Sequence, residues 1–195
     1  MVWWRSTIGM DTKSLIIENA TKLFQHKGYM GVGLSEILKT CNISKGALYY
    51  HFPNGKEELL IACLQALNSV ITSDIEAIYE KHPTTIEATN AMIDKLIIHF
   101  DFEGTIAGYT ISSIVTEMAS LNEPVRIACA QMYEKIEHIY FQKLVTDGFS
   151  TESAKSFALM LSASIEGAML LCLAQNSSKP FKVLSQVIPN ILKES

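Results

Sequence analysis

Apolar and polar positions along this chain recur at helical rather than strand spacing. Over residues 11–26, Ile16, Ala20, Leu23 and Phe24 fall at i, i+4, i+7 and i+8, which is one face of a helix, and Lys27-Gly28 closes it as a C-cap. Leu34, Ile37 and Leu38 mark a short second helix over 34–40. Cys41-Asn42 then makes a tight turn, for which Asn suits a positive φ, and Ser44 N-caps a third helix reaching Tyr50. Asn54 with Glu57 has the signature of a capping box opening a long fourth helix over 56–81, which His82-Pro83 stops. Thr84 with Glu87 repeats the signature for a fifth helix to Phe102, whose apolar side carries Ile86, Ile93, Leu96, Ile97 and Phe100. Gly104 to Gly108 is a break. A sixth helix covers 109–121; Asn122-Glu123-Pro124 opens a seventh that ends at Asp147-Gly148; Ser150 or Thr151 caps an eighth to Asn176; and Pro180 opens a ninth. No long period-2 alternation bounded by hairpin turns appears. The expectation is an all-α protein of about nine helices, three small ones followed by six longer ones.

Composition narrows the class. Hydrophobic residues make up 48% of the 195 residues and charged ones only 18%, so the chain is a packed globular protein rather than a disordered one. A net charge of −4 argues against a uniformly basic nucleic-acid binder. Its distribution adds to this: residues 1–60 carry seven Lys or Arg against five Asp or Glu, and residues 61–195 carry nine against fifteen, so positive charge sits at the N-terminal end. Cys41, Cys63, Cys129 and Cys172 are single and set in apolar surroundings, which reads as reduced core thiols of a cytoplasmic protein. His26, His51, His82, His99 and His138 show no paired ligand spacing, so neither a metal nor another cofactor is indicated. Residues 1–10 read as an N-terminal extension, with Met10 a candidate start; they lack the apolar core of a secretory signal. The most apolar stretch, 157–174, is interrupted by Ser162, Ser164, Glu166 and Gly167, whereas a spanning helix needs about 20 mostly apolar residues; a buried helix is expected, with no membrane partner.

Two short helices joined by a turn of three or four residues suit a helix-turn-helix, whose second helix enters the major groove. The side chains give that reading chemistry. Gly46, lacking Cβ, lets the helix approach base edges closely, and Lys45 can reach a base acceptor or a phosphate. Ser44, Tyr49, Tyr50, His51 and Lys56 can hydrogen-bond phosphate oxygens, while Ile37, Ile43, Leu48 and Phe52 form the wedge that holds the helices together. The string Gly28-Tyr29, Leu34-Ser35-Glu36-Ile37, Ile43-Ser44-Lys45-Gly46-Ala47-Leu48-Tyr49-Tyr50-His51-Phe52 and Lys56-Glu57-Glu58-Leu59 resembles the DNA-binding domain of the TetR/AcrR family of bacterial repressors. The resemblance implies that Lys45, Gly46, Tyr49, Tyr50, His51 and Lys56 are the DNA contacts. Two positions depart from it: Gly33 stands where relatives often cap the second helix with Ser or Thr, and Asn42 where they usually have Gly. The expected organisation is a helix-turn-helix domain over 11–55 and a helical domain over 56–195.

Further along, the extra residue in Phe52-Pro53-Asn54-Gly55-Lys56, then Glu123-Pro124-Val125-Arg126-Ile127-Ala128-Cys129, Ile165-Glu166-Gly167-Ala168 and Pro180-Phe181 resemble the LmrA/YxaF-type subgroup. Gly108-Tyr109-Thr110-Ile111 departs from the Gly-Cys-Pro pattern usual there. The subgroup implies a palindromic double-stranded DNA operator, a homodimer through the last two helices, and release by small, mostly apolar or aromatic effectors, flavonoids among them, as in regulators of multidrug resistance. Met92, Phe100, Met118, Tyr133, Phe141 and Met169 are candidate effector contacts, although such residues fill cores more often than they line pockets. Glu166, inside the most apolar helix, must be paired, hydrogen-bonded or at an edge, and an interhelix bond or cap is as good an account of it as ligand recognition. Helix eight is apolar nearly all round and helix nine carries Val183, Leu184, Val187, Ile188, Ile191 and Leu192, so both need cover on more than one side. An enzyme is not expected, since no G-x-S-x-G, P-loop, dinucleotide fingerprint or paired-carboxylate motif stands out. A helical adaptor binding another protein through 157–174 is the remaining alternative.

Overall fold

Several helices begin where a side chain takes up a free amide of the first turn, whereas the one entered at Gly33 has no side-chain cap. In the computed structural model, residues 11–104, 109–118 and 122–193 are described, with 109–113 and 193 as backbone alone. The extension 1–10, the residues 105–108 of the expected break and the side chains of Tyr109, Thr110 and Ile111 lie outside the described residues. Nine α-helices and no strand occur among the described residues: α1 Thr12–Lys27, α2 Leu34–Cys41, α3 Lys45–His51, α4 Lys56–Lys81, α5 Thr85–Glu103, α6 Tyr109–Met118, α7 Glu123–Thr146, α8 Thr151–Gln175 and α9 Lys179–Lys193. Asp11, Ser44, Thr84 and Ser150 are N-caps whose side chains accept from the amide three residues on, each worth about 1 kcal/mol. At Thr84 the capping box is complete, with Glu87 closing back on the Thr84 amide.

The start of α4 corrects one expectation. The carboxylate that closes on it is Glu58, accepting from the Asn54 amide at 2.9 Å, rather than Glu57. Gly55, at φ +72°, occupies the residue before the helix and its carbonyl accepts from Leu59, so the third helical position is one residue later than the pattern suggested. Left-handed Asn42 and Asn176 terminate α2 and α8, and Gly28 and Gly104, also at positive φ, terminate α1 and α5. Helix α9 continues through Pro189, which removes one ladder hydrogen bond near its end.

The described residues form two compact units, one of residues 11–67, 113–118 and 122–128, the other of 68–104, 109–112 and 129–193. The units divide within α4, and the second half of α6 and the start of α7 join the first unit. The first unit is centred on Ile16, Ala20 and Phe24 of α1, Ile37 of α2, Leu48 of α3, and Phe52, Leu59 and Leu60, all buried. The second buries Tyr79, Met92, Ile93, Tyr140, Leu144, Leu161, Cys172, Phe181 and Ile188. Its α4–α5 turn is held by α7: the Lys143 ammonium donates to the carbonyls of His82 and Pro83 at 2.8 Å each, and Asp147 accepts from the Thr85 amide at 2.5 Å. A cation thus meets the carbonyl end of one helix and an anion the amide end of the next, the arrangement helix dipoles favour. By length and composition α4 and α8 could each cross a membrane, and α8 extends beyond the apolar stretch at both ends; both also bury residues in the core.

Candidate nucleic-acid interface

Local hydrogen bonds build the turn that aims α3. Asn42, at φ 52° and ψ 48°, lets the α2 carbonyls of Lys39 and Leu38 accept from the amides of Asn42 and Ile43 at 3.2 and 3.1 Å. Ser44 then ends the turn, its Oγ accepting from Ala47 N at 3.1 Å, which leaves its O–H able to donate outward. Leu48 and Phe52 are buried, and that anchors one side of the helix. With that side fixed, Lys45, Gly46, Tyr49 and Tyr50 are exposed, Tyr50 by 80%.

The exposed face is rich in donors. The Lys45 ammonium stands 5.9 Å over the Tyr49 ring, and the Tyr49 ring lies against Gly55, where a Cβ would meet it at 3.4 Å. His51 is half-buried, its ring 5.0 Å edge-on from Tyr50 and 6.4 Å from Phe52. The Lys13 ammonium of α1 stands 5.7 Å over the Phe52 ring, adding a cation that sequence reasoning passed over. No acidic residue occurs between Ile43 and Asn54, so nothing within the segment opposes a phosphate. A Cβ built on Gly46 would meet only Ser44 Oγ, at 3.8 Å, so the absence of a side chain there keeps the outer surface low.

Lys56 has a different setting. It is half-buried, its ammonium donates to the Tyr29 carbonyl at 2.5 Å and lies 3.9 Å over the Tyr29 ring. Burial lowers its pKa, and the charge of Glu117 works in the opposite direction. Glu117, on α6, accepts from the amides of Tyr29 and Met30 at 3.0 and 3.2 Å. Tyr29 and Glu117 are 88 residues apart, and no periodic or motif signal in the sequence links them.

The candidate effector residues divide between the two units. Met118 is buried in the first unit; Met92, Phe100 and Met169 are buried in the second, where Tyr133, Phe141 and Glu166 are half-buried. Met92 receives the Tyr140 hydroxyl at 3.6 Å, and burial, then the charges of Tyr79 and Glu166, push the Tyr140 phenol well above its ordinary value. Met92 thus meets Tyr140, which the sequence did not single out. The Phe141 ring lies 6.2 Å from His138. His138 lines a groove of about 580 Å³ with Thr72, Glu76, Gln131, Glu134, Lys135 and Ile139, and none of the candidate effector residues lines it. Among the described residues no group of three or more His, Cys, Asp or Glu is placed to hold a metal ion. All four cysteines are free and buried.

A donor-rich helix held outward by a buried wedge, entered through a left-handed turn from a short partner helix, defines a helix-turn-helix DNA-binding protein. Residues 16–63 match the family described as bacterial regulatory proteins, tetR family, and residues 85–187 match the transcriptional regulator LmrA/YxaF-like C-terminal domain. The chain is 35% identical over 183 residues to the HTH-type transcriptional regulator LmrA of Bacillus subtilis, covering 94% of this chain and 97% of that one. It is 40% identical over 78 residues, 35% of this chain and 42% of the other, to the biofilm operon icaADBC HTH-type negative transcriptional regulator IcaR of Staphylococcus aureus. The crystal structure of reduced Escherichia coli NemR has the same fold, with a TM-score of 0.84 at 24% identity over 93% of this chain and 97% of that one. The chain belongs to the TetR family of transcriptional regulators, with a C-terminal domain of the LmrA/YxaF type, and is a DNA-binding regulator rather than an enzyme.

Proposed function

We propose that the protein is a cytoplasmic repressor that binds a palindromic operator as a homodimer and is released by a small, mostly apolar or aromatic effector. The observation that carries the reading is the outward face of α3, where Lys45, Gly46, Tyr49 and Tyr50 are exposed on a helix fixed from behind by Leu48 and Phe52. Ser44, Tyr49, Tyr50, His51 and Lys56 supply phosphate contacts, and Lys45 beside Gly46 supplies base contacts. The negative regulator among its relatives supports repression as the outcome.

Dimerisation is supported by the opposite end of the chain. Leu159, Leu170 and Leu171 of α8 and Val183, Val187 and Ile191 of α9 are exposed, although such residues favour burial. Joining these faces in two copies would cover them and set two α3 helices about 34–36 Å apart, one turn of DNA. For the effector, Met92, Phe100, Tyr133, Phe141, Glu166 and Met169 in the second unit, and Met118 in the first, are the contacts to test by substitution. Thermal-shift screening of flavonoids and related aromatics, followed by DNA-release assays on any hit, identifies the class and shows whether it dissociates the complex.

The decisive test is fluorescence-anisotropy titration of duplexes from the region upstream of the protein's own coding sequence. Binding is expected with a Kd of about 10⁻⁸ M or tighter at physiological salt. Lys45→Ala should relax sequence preference by about 1–3 kcal/mol at one position of the site. Absence of binding to every upstream duplex at moderate salt would sink the operator reading.

A further inference from the structure

We propose that Glu117 is a positioning residue for DNA binding: it touches no DNA itself but holds the α1–α2 loop and, through it, the Lys56 cation at the start of α4. The inference rests on the DNA-binding reading of the first unit, and its residues all belong to that unit.

The argument starts from one carboxylate oxygen. Glu117 Oε2 accepts from the backbone amides of both Tyr29 and Met30, at 3.0 and 3.2 Å. Two successive amides pointing at one acceptor form a concave anion site, which here a side chain of the same chain fills. Gly28, at φ +68°, completes it: any side chain at that position would run into the Glu117 carboxylate. The loop fixed in this way presents the Tyr29 carbonyl to the Lys56 ammonium at 2.5 Å and the Tyr29 ring beneath it at 3.9 Å. Burial disfavours the charge on Lys56, and Glu117 is the neighbour whose charge sustains it.

Lys56 is the first residue of α4, and the segment before it is tied to the recognition helix. Gly55 N donates to the Phe52 carbonyl at 2.8 Å, and the Tyr49 ring rests on Gly55. An ammonium has three donors, and the Tyr29 carbonyl uses one, so Lys56 keeps donors for a phosphate while its position is set by the loop. Without Glu117, the Tyr29 carbonyl loses its anchor and Lys56 its fixed site beside α3. The recognition helix itself keeps its own cap and buried wedge.

Operator titrations over a series of salt concentrations test this with Glu117→Ala, Glu117→Gln, Lys56→Met and the double variant Glu117→Ala/Lys56→Met. Glu117→Ala should bind about tenfold more weakly, the scale of one charge-assisted hydrogen bond, and its slope of log K against log salt should flatten by about one unit as one phosphate contact is lost. A defect of folding alone would lower the active fraction and leave that slope unchanged. Glu117→Gln keeps an oxygen that can accept both amides but not the charge that favours the Lys56 cation, and is expected to recover part of the loss, binding about threefold more weakly than wild type. The double variant should bind no more than about twofold worse than Lys56→Met, because both changes act through one cation.

Wild-type affinity and slope in Glu117→Ala, a Glu117→Gln as weak as the alanine, or additive losses in the double variant would each overturn the inference. If the alanine variant does not fold by circular dichroism, Glu117→Asp, one methylene too short to reach both amides, is expected to show the same loss and the same flattening. Failure of the wild type to bind any duplex would instead overturn the DNA reading on which the inference stands.

Discussion

Helices α3 and α8 each carry a glycine in the middle of an exposed face, and the faces around the two glycines are opposites. Around Gly46 lie Lys45, Tyr49 and Tyr50, groups that donate hydrogen bonds. Around Gly167, at helical spacing, lie Ala163, Leu170 and Leu171, which are exposed and apolar. Neither glycine sits at positive φ, and a Cβ would meet nothing within 4 Å at Gly167 and only Ser44 Oγ at Gly46. Within the chain, alanine would fit at both positions and would favour the helix by about 0.5–1 kcal/mol. The low surface at each is therefore unexplained by the subunit alone, and the function proposed above gives each a different visitor: phosphates and base edges at α3, a second apolar surface at α8.

The largest expected effect comes from placing charge on the apolar face. Leu170→Glu combined with Val187→Glu puts carboxylates at two exposed positions, so the subunit should remain folded. In a dimer the same carboxylates would be buried without partners, which is costly. The variant should elute as a monomer in size-exclusion chromatography with light scattering. Operator affinity should fall by more than about 100-fold, since the two half-sites no longer act as one linked ligand. A double variant that remains dimeric would break the comparison at α8 and remove that face from the interface.

A smaller pair of substitutions sharpens it. Gly46→Ala and Gly167→Ala should each leave thermal stability unchanged or slightly raised, with opposite functional consequences. At α3 the added methyl should lower operator affinity about tenfold by holding the helix away from the bases, with the dimer intact. At α8 it should weaken the dimer by a similar factor through the same overpacking, and lower DNA binding only at protein concentrations where the dimer dissociates. Analytical ultracentrifugation and anisotropy, run on both variants, separate these outcomes. Equal behaviour of the two variants would mean that the faces do not serve different partners.

What could be read from the sequence follows the range of the interaction. Caps and turns act over three or four residues, so Ser44, Thr84 with Glu87, and Ser150 marked their helices, as did Asn42 and Gly28 at the ends. The start of α4 was misjudged by one residue because Glu57 and Glu58 adjoin, and only the backbone geometry of Gly55 decides which carboxylate closes. The recognition helix was legible because its wedge and its donors alternate within nine residues, Ser44 to Phe52. Long-range partners were not. Glu117 on Tyr29, Asp147 on Thr85 and Tyr140 on Met92 join residues that no period relates. Nor does amphipathicity say which compact unit a buried methionine such as Met118 joins.

The two units also differ in what they bury, and this gives the prediction with the smallest effect near neutral pH. The first buries the Cys63 thiol, which burial pushes from an ordinary 9 up to about 12, with the Thr21 hydrogen bond opposing and Cys41 adding slightly. The second buries the Tyr79 phenol, raised chiefly by burial and partly offset by its 2.7 Å hydrogen bond with Thr89. For an acid whose folded pKa is raised, the fold binds the proton more tightly than the unfolded chain does, so this contribution is fully present below the unfolded value. It is lost as pH rises from about 9 toward 12 for Cys63, and over a correspondingly higher window beginning near 10 for Tyr79. Denaturant midpoints should therefore be insensitive to these groups between pH 6 and about 8.5 and fall above it. Cys63→Ala should flatten the lower part of that fall and Tyr79→Phe the upper part, each at a cost of about 1–2 kcal/mol at pH 7 from lost packing or hydrogen bonding. Thiol reagents at pH 8 should modify Cys63 only as fast as the first unit opens, because a buried thiol with so high a pKa supplies almost no thiolate. An alkaline profile unchanged by Cys63→Ala would show that the first unit opens before its thiol ionises, and would place the pH sensitivity in the second unit alone.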